Sequence, residues 1–137
     1  MGVILDSSVA IEAEREQLNV AQFLKRIVQK IGDEEAALSV ISVAELAHGI
    51  YRANTAERRE RRRMFLTELK TALPVFPVTD ATAELVGRIS GEVSARGVVI
   101  PLDDLLIAVC ALEREYAVAT HNLRHFRKIP DLKILPL

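Results

Sequence analysis

Val3-Ile4-Leu5 is a purely apolar run that stops at Asp6. With no polar residues at alternate positions, such a segment suits a strand buried on both faces. Comparable short runs follow at Ala37–Ile41, Pro74–Val78, Ala117–Thr120 and Leu132–Leu135. Between them the periodicity becomes helical. Residues 7–13 fit a short helix, and Val20, Phe23, Leu24, Ile27 and Ile31 share one apolar face, with Gly32 as its stop. Ser42–Arg52 reads as a helix opening with Ser-x-x-Glu, and a charged helix covers 54–73 with Phe65 and Leu69 on one side. Thr79 or Asp80 caps a further helix that Gly97 ends. Asp103–Tyr116 is apolar all round from Leu105 to Leu112, so that helix is enclosed by the rest of the fold. This alternation predicts an α/β fold, a three-layer α/β/α sandwich with a mostly parallel central sheet. Such sheets bind ligands beyond the carboxyl ends of their strands.

The 137 residues fit one domain over 1–137, with no repeat and no Gly/Ser/Pro-rich linker. Eighteen basic and 19 acidic residues leave a net charge of −1, which excludes a polycation held to nucleic acid by bulk charge. The single cysteine, Cys110, has no intramolecular partner, pointing to a reducing compartment and a cytoplasmic location. MGVILDSSVA lacks the charged start of a signal peptide. No apolar run approaches the roughly 18 residues of a membrane span, so no membrane association is expected.

Four carboxylates fall where this architecture places a site. Asp6 ends the first strand, Glu45 lies on the first turn of the helix after the second, and Asp103 and Asp104 open the enclosed helix. Asp6, Glu45 and one of the last pair would therefore converge at one end of the sheet. Carboxylates without His or Cys partners suit hard divalent cations, Mg²⁺ or Mn²⁺. They repel one another unless a cation neutralises them, and such an ion activates water and stabilises charge on a phosphoryl group. Each also has a structural use. Asp6 with Ser7 and Ser8 suits a helix cap, Ser42-Val43-Ala44-Glu45 is a capping-box pattern, and Asp103 and Asp104 suit a helix N-terminus. Spacing alone leaves both uses open.

Other features carry less. Glu45 and His48 make one Glu-x-x-His pair without the second copy that a di-iron bundle requires. His121 and His125 are four apart, as zinc-binding pairs are, yet no cysteine is near and they read as surface or substrate-facing groups. Cys110 reads as a buried inert thiol, and Ser7 and Ser8 lack the Gly-x-Ser-x-Gly elbow of a serine hydrolase. Arg52, Arg58, Arg59, Arg61, Arg62 and Arg63, with Glu57 and Glu60 between them, form either a solvated face braced by a Glu57–Arg61 pair or a phosphate-tracking surface.

Four motifs in order carry a family resemblance. They are Val3-Ile4-Leu5-Asp6-Ser7-Ser8-Val9, Ser42-Val43-Ala44-Glu45-Leu46-Ala47-His48-Gly49, Asp104-Leu105-Leu106-Ile107-Ala108 and Ala119-Thr120-His121-Asn122-Leu123-Arg124-His125-Phe126. Nearly end to end, the chain resembles the PIN-domain nucleases, specifically the VapC-type toxins of toxin–antitoxin pairs. The resemblance implies a metal-dependent endoribonuclease, a hydrolase using Mg²⁺ or Mn²⁺ against structured RNA such as tRNA or ribosomal RNA. It also implies a cognate antitoxin that neutralises the toxin, and a homodimer. By motif position, Asp6, Glu45 and Asp104 would be the catalytic, metal-binding acids, with Asp103 capping its helix. Ser8 and Thr120 would orient carboxylates or the metal's waters. Asn122 stands where many members carry an aspartate, as does His125 where others do. A neutral Asn122 would offer an oxygen or position a water, leaving one or two ions open. Arg52, Arg58, Arg59 and Arg62 would hold RNA or the antitoxin tail. The alternative is a PIN-fold binding module whose catalysis Asn122 has weakened. A receiver-type phosphoacceptor fits less well, because Lys128 is poorly placed.

Overall fold

The structure, a computed structural model, describes all residues from Met1 to Leu137. Five strands, β1 (Gly2–Leu5), β2 (Glu35–Ser39), β3 (Val75–Phe76), β4 (Ala117–Thr120) and β5 (Ile134–Pro136), form one sheet in the order β3-β2-β1-β4-β5. Every pairing is parallel, so the expectation of a mostly parallel sheet is met in full. Seven helices connect and cover it: α1 (Ser7–Arg15), α2 (Val20–Ile31), α3 (Val40–Tyr51), α4 (Ala56–Ala72), α5 (Asp80–Ser94), α6 (Leu102–Glu113) and α7 (Leu123–Phe126).

Strand alternation divides the core between the two faces. Ile4, Ala37 and Val118 turn toward one layer, with Val86, Ile89 and Val93 of α5 and the enclosed α6. Val3, Leu5, Leu38 and Ala119 turn toward the other, with Phe23 and Ile27 of α2 and Phe65 and Leu69 of α4. This is the period-two geometry of a strand in a three-layer fold, and it explains why the strand sequences show no polar face. No helix is long and apolar enough to cross a membrane.

Several boundaries differ from the sequence expectation for physical reasons. The second strand runs from Glu35 to Ser39, not 37–41, and its helix starts at Val40 because Ser39 is the cap, its hydroxyl accepting from the Ile41 amide at 3.1 Å. Ser42 does not cap; its hydroxyl donates to the Leu5 carbonyl at 3.3 Å and fastens α3 to the end of β1. The third strand shrinks to Val75–Phe76 between Pro74 and Pro77, which bring no N–H to a ladder. The enclosed helix ends at Glu113, three residues before Tyr116. The last strand is Ile134–Pro136. Thr79 caps α5 as read, and Gly32 and Gly97, both at positive φ (74° and 76°), follow the ends of their helices.

Chain order places the site. Strands β2 and β3 lie to one side of β1, while β4 and β5 lie to the other. The carboxyl ends of β1 and β4 therefore flank the topological switch point, where a crevice opens in sheets of this kind.

Candidate active site

Asp6 follows β1 directly and stands at the N-cap position of α1, yet its side chain makes no capping bond. Its Oδ2 accepts instead from Ser8 Oγ at 2.7 Å and from Thr120 Oγ1 at 2.8 Å. Thr120 ends β4, so these bonds span the switch point, reinforced by the Asp6 amide donating to the Ala119 carbonyl at 2.9 Å. A second tier holds the hydroxyls: the Asn122 amide donates to Thr120 Oγ1 at 2.8 Å and the His121 amide to Ser8 Oγ at 3.2 Å. Asp6 is 4% exposed and carries no side-chain cation partner.

Glu45 lies on the second turn of α3, so the capping-box use of this residue is overturned along with that of Ser42. Its Oε1 accepts from Ser7 Oγ at 3.0 Å. Asp103 and Asp104 occupy the first turn of α6, whose N-cap position is Pro101 with no side-chain cap; Asp103 does not cap. Asp104 is 7% exposed, and its Oδ2 lies 2.6 Å from His125 Nδ1.

Charge ties these groups together. Glu45 is pushed up to about 7 from its usual 4.5, by burial first, then by the neighbouring Asp103 carboxyl and by Asp6, with Ser7 pulling the other way. Asp104 is also raised, by burial first and by repulsion from Asp103 and Asp6, while His125 opposes the rise. Asp6, Glu45, Asp103 and Asp104 thus share one field of like charge, although no three of them close on a common point. An all-oxygen donor set whose members disfavour each other's ionisation fits a hard divalent cation, which would relieve that repulsion.

The remaining candidates fall into place unevenly. Asn122 is exposed at the rim, its Nδ2 3.5 Å from His125 Nδ1. His121 and His125 face different partners, Glu12 and Asp104, so they form no joint zinc pair. Arg52 and Arg59 are exposed, and Arg58 donates to Asn54 Oδ1 at 3.4 Å. Arg62 is half-buried, donating to the Gly49 carbonyl at 2.7 Å and pairing with Glu14 at 3.4 Å. Arg61 also joins Glu14 of α1, at 3.6 Å, in place of the expected Glu57 pair. A cleft between α1, α3 and α4, lined by Ile11, Glu14, Glu45, Leu46, Arg62 and Phe65, reaches the site at Glu45. Cys110 is fully buried and its thiol is pushed up by burial, as an inert thiol should be.

Two residues gain a place in the site that sequence reasoning does not give them, Ser7 and His125, and Asp103 joins Asp104 there where spacing leaves one of the pair. Ser7 suggests only a cap or a nucleophile, and the expectation of carboxylates without a histidine partner is corrected by His125 at 2.6 Å from Asp104. His125 carries a weak signal, since it precedes Phe126 at a position where an acid is expected.

The PIN domain family matches residues 3–132. Ribonuclease VapC10 of Mycobacterium tuberculosis is 32% identical over 131 residues, spanning 96% of this chain and 90% of the relative. Among solved structures, VapBC2 of Rickettsia felis bound to a promoter DNA fragment superposes with a TM-score of 0.85 at 21% identity, over 100% of this chain and 99% of that one. VapBC-5 of Mycobacterium tuberculosis, a member of the VapBC family of toxin–antitoxin systems, gives a TM-score of 0.76 at 26% identity over 100% of both chains. With its five-stranded parallel sheet and its acidic switch point, the chain belongs to the PIN-domain family, and its relatives there are the VapC proteins.

Proposed function

We propose that this protein is a divalent-metal-dependent endoribonuclease toxin, neutralised by a cognate antitoxin. The observation that carries the reading is the cluster of mutually repelling carboxylates at the switch point, joined to a relative named as a ribonuclease and a structural neighbour from a toxin–antitoxin system. Asp6, Glu45 and Asp104 would hold Mg²⁺ or Mn²⁺. When bound, the ion supplies Lewis acidity toward water and toward a phosphoryl oxygen. Ser8 and Thr120 keep the Asp6 carboxylate in one orientation, and Ser7 does the same for Glu45. Asn122, at the rim, presents an amide to a phosphate or to a water. In-line attack of water on the phosphodiester would leave 5′-phosphate and 3′-hydroxyl ends.

The test is cleavage of total RNA by antitoxin-free protein in Mg²⁺, in Mn²⁺ and in EDTA. Discrete cuts with 5′-phosphate ends are expected with either metal and none in EDTA. Equal cleavage in EDTA would overturn the metal role. No cleavage with any metal would favour the second reading, a PIN-fold binding module, which rests on the neutral Asn122.

The exposed arginines of α4 and the turn before it supply an RNA-facing charge. Replacing Arg52, Arg58 and Arg59 together by glutamine should reduce the slope of log affinity against log salt by about two to three, at about 0.7–0.9 for each phosphate that is no longer neutralised. Binding measured between low and moderate salt checks this; an unchanged slope means the three face only solvent. Arg62, tied to Gly49 and Glu14, belongs to the framework as well as to the cleft, and its replacement should lower stability.

A further inference from the structure

His125 sits on the short helix α7, whose neighbour Phe126 is fully buried in the core shared with α6. That anchor presses the imidazole against the first turn of α6. His125 Nδ1 and Asp104 Oδ2 are 2.6 Å apart, and the two side chains are only 30% and 10% exposed. Of the charged groups acting on Asp104, Asp103 and Asp6 repel its ionised form, while His125 alone stabilises it. When Asp104 is ionised, as a ligand to a cation must be, its carboxylate only accepts, and Nδ1 is then the donor in this pair.

The consequence is geometric. A carboxylate on a helix N-terminus turns about its last bond unless something grips one oxygen. Asp6 is gripped twice, by Ser8 and Thr120, and Glu45 once, by Ser7. Asp104 has no hydroxyl beside it; its one side-chain partner is His125. Each of the three acids thus has its own donor, and His125, on the short helix that follows β4, completes the set.

We propose that His125 is a positioning residue that donates Nδ1–H to Asp104 Oδ2 and holds that carboxylate in the orientation needed to bind a divalent cation. The inference rests on the metal-dependent reading above. It assigns His125 the task of a donor where a fourth carboxylate would have added charge.

The experiment is titration of metal-free protein with Mn²⁺, following free Mn²⁺ by electron paramagnetic resonance, with no RNA present. His125→Ala should bind Mn²⁺ about 10- to 100-fold more weakly than the unaltered chain, the usual cost of losing a partner behind a metal ligand. His125→Asn, whose amide N–H reaches close to the position of Nδ1, should recover most of that loss. His125→Gln, whose amide reaches toward the Nε2 position, should behave like the alanine variant. In cleavage assays the half-saturating Mn²⁺ concentration should rise with His125→Ala while the rate at saturating Mn²⁺ recovers. Thermal melts in EDTA identify any variant that has failed to fold, and the asparagine variant then carries the test. Alanine binding within about twofold of the unaltered chain, well inside the usual loss, would overturn the proposal. So would an asparagine variant as weak as alanine. If the unaltered chain binds no Mn²⁺ at all, the metal reading itself fails, an outcome distinct from equal, measurable binding by all the variants.

Discussion

Asp6→Asn is expected to lower RNA cleavage by about a thousandfold or more, roughly 4 kcal/mol of transition-state stabilisation, while leaving the fold intact. The fold survives because the asparagine carbonyl oxygen can still accept from both Ser8 Oγ and Thr120 Oγ1, the two bonds that hold Asp6 across the switch point. What disappears is the negative charge on an almost fully buried group. That charge contributes repulsion to Glu45 and Asp104 and has no side-chain cation to balance it. Its loss should therefore leave the metal-free melting temperature unchanged or raised, and circular dichroism beside the cleavage assay separates the two effects. A variant that cuts RNA at the original rate would remove Asp6 from the catalytic set. One that unfolds would make Asp6 a structural anchor instead.

Much of this arrangement is legible in the residues alone. The runs at Val3–Leu5 and Ala117–Ala119 read as strands because burial on both faces removes polar residues from the pattern, and the structure buries all of them. Asp6 and Thr120 are legible for the same reason, as the residues on which such runs end. The boundary between β2 and α3 is not. Ser42-x-x-Glu45 imitates a capping box, but Ser42 is drawn to the Leu5 carbonyl and Glu45 to Ser7. Both are tertiary contacts over more than 35 residues, invisible to local pattern. Asp103 misleads in the same way: an acid on a first turn looks like a cap or a dipole partner until its neighbours across the crevice are known. The role of His125 depends on how Phe126 seats α7 against α6, which no spacing rule contains.

Glu45→Gln separates a metal-site carboxylate from a structural one by moving activity and stability in opposite directions. Cleavage should fall by about a hundredfold or more, because a neutral amide is a poor ligand for a hard cation. Stability of the metal-free protein should rise. In the unfolded chain the Glu45 carboxyl titrates near 4.5, whereas in the folded chain it is pushed up to about 7 by burial and by Asp103 and Asp6. Below the lower value both states are protonated and the residue costs nothing. As pH climbs through this window the unfolded chain ionises the carboxyl while the folded chain, whose surroundings disfavour the charge, holds its proton, so stability falls, and above the upper value the full cost is present. Allowing for the partial exposure of Glu45, that cost is about 1–2 kcal/mol. The glutamine variant should thus melt about 3–8 °C higher than the unaltered chain at pH 8 in EDTA, and the gap should close as pH falls toward 4.5. Saturating Mg²⁺ should close it too, by stabilising the chain that keeps its carboxylate. A glutamine variant that melts lower at pH 8 would mean that the bond from Ser7 outweighs the repulsion, and that Glu45 serves the fold before it serves a metal.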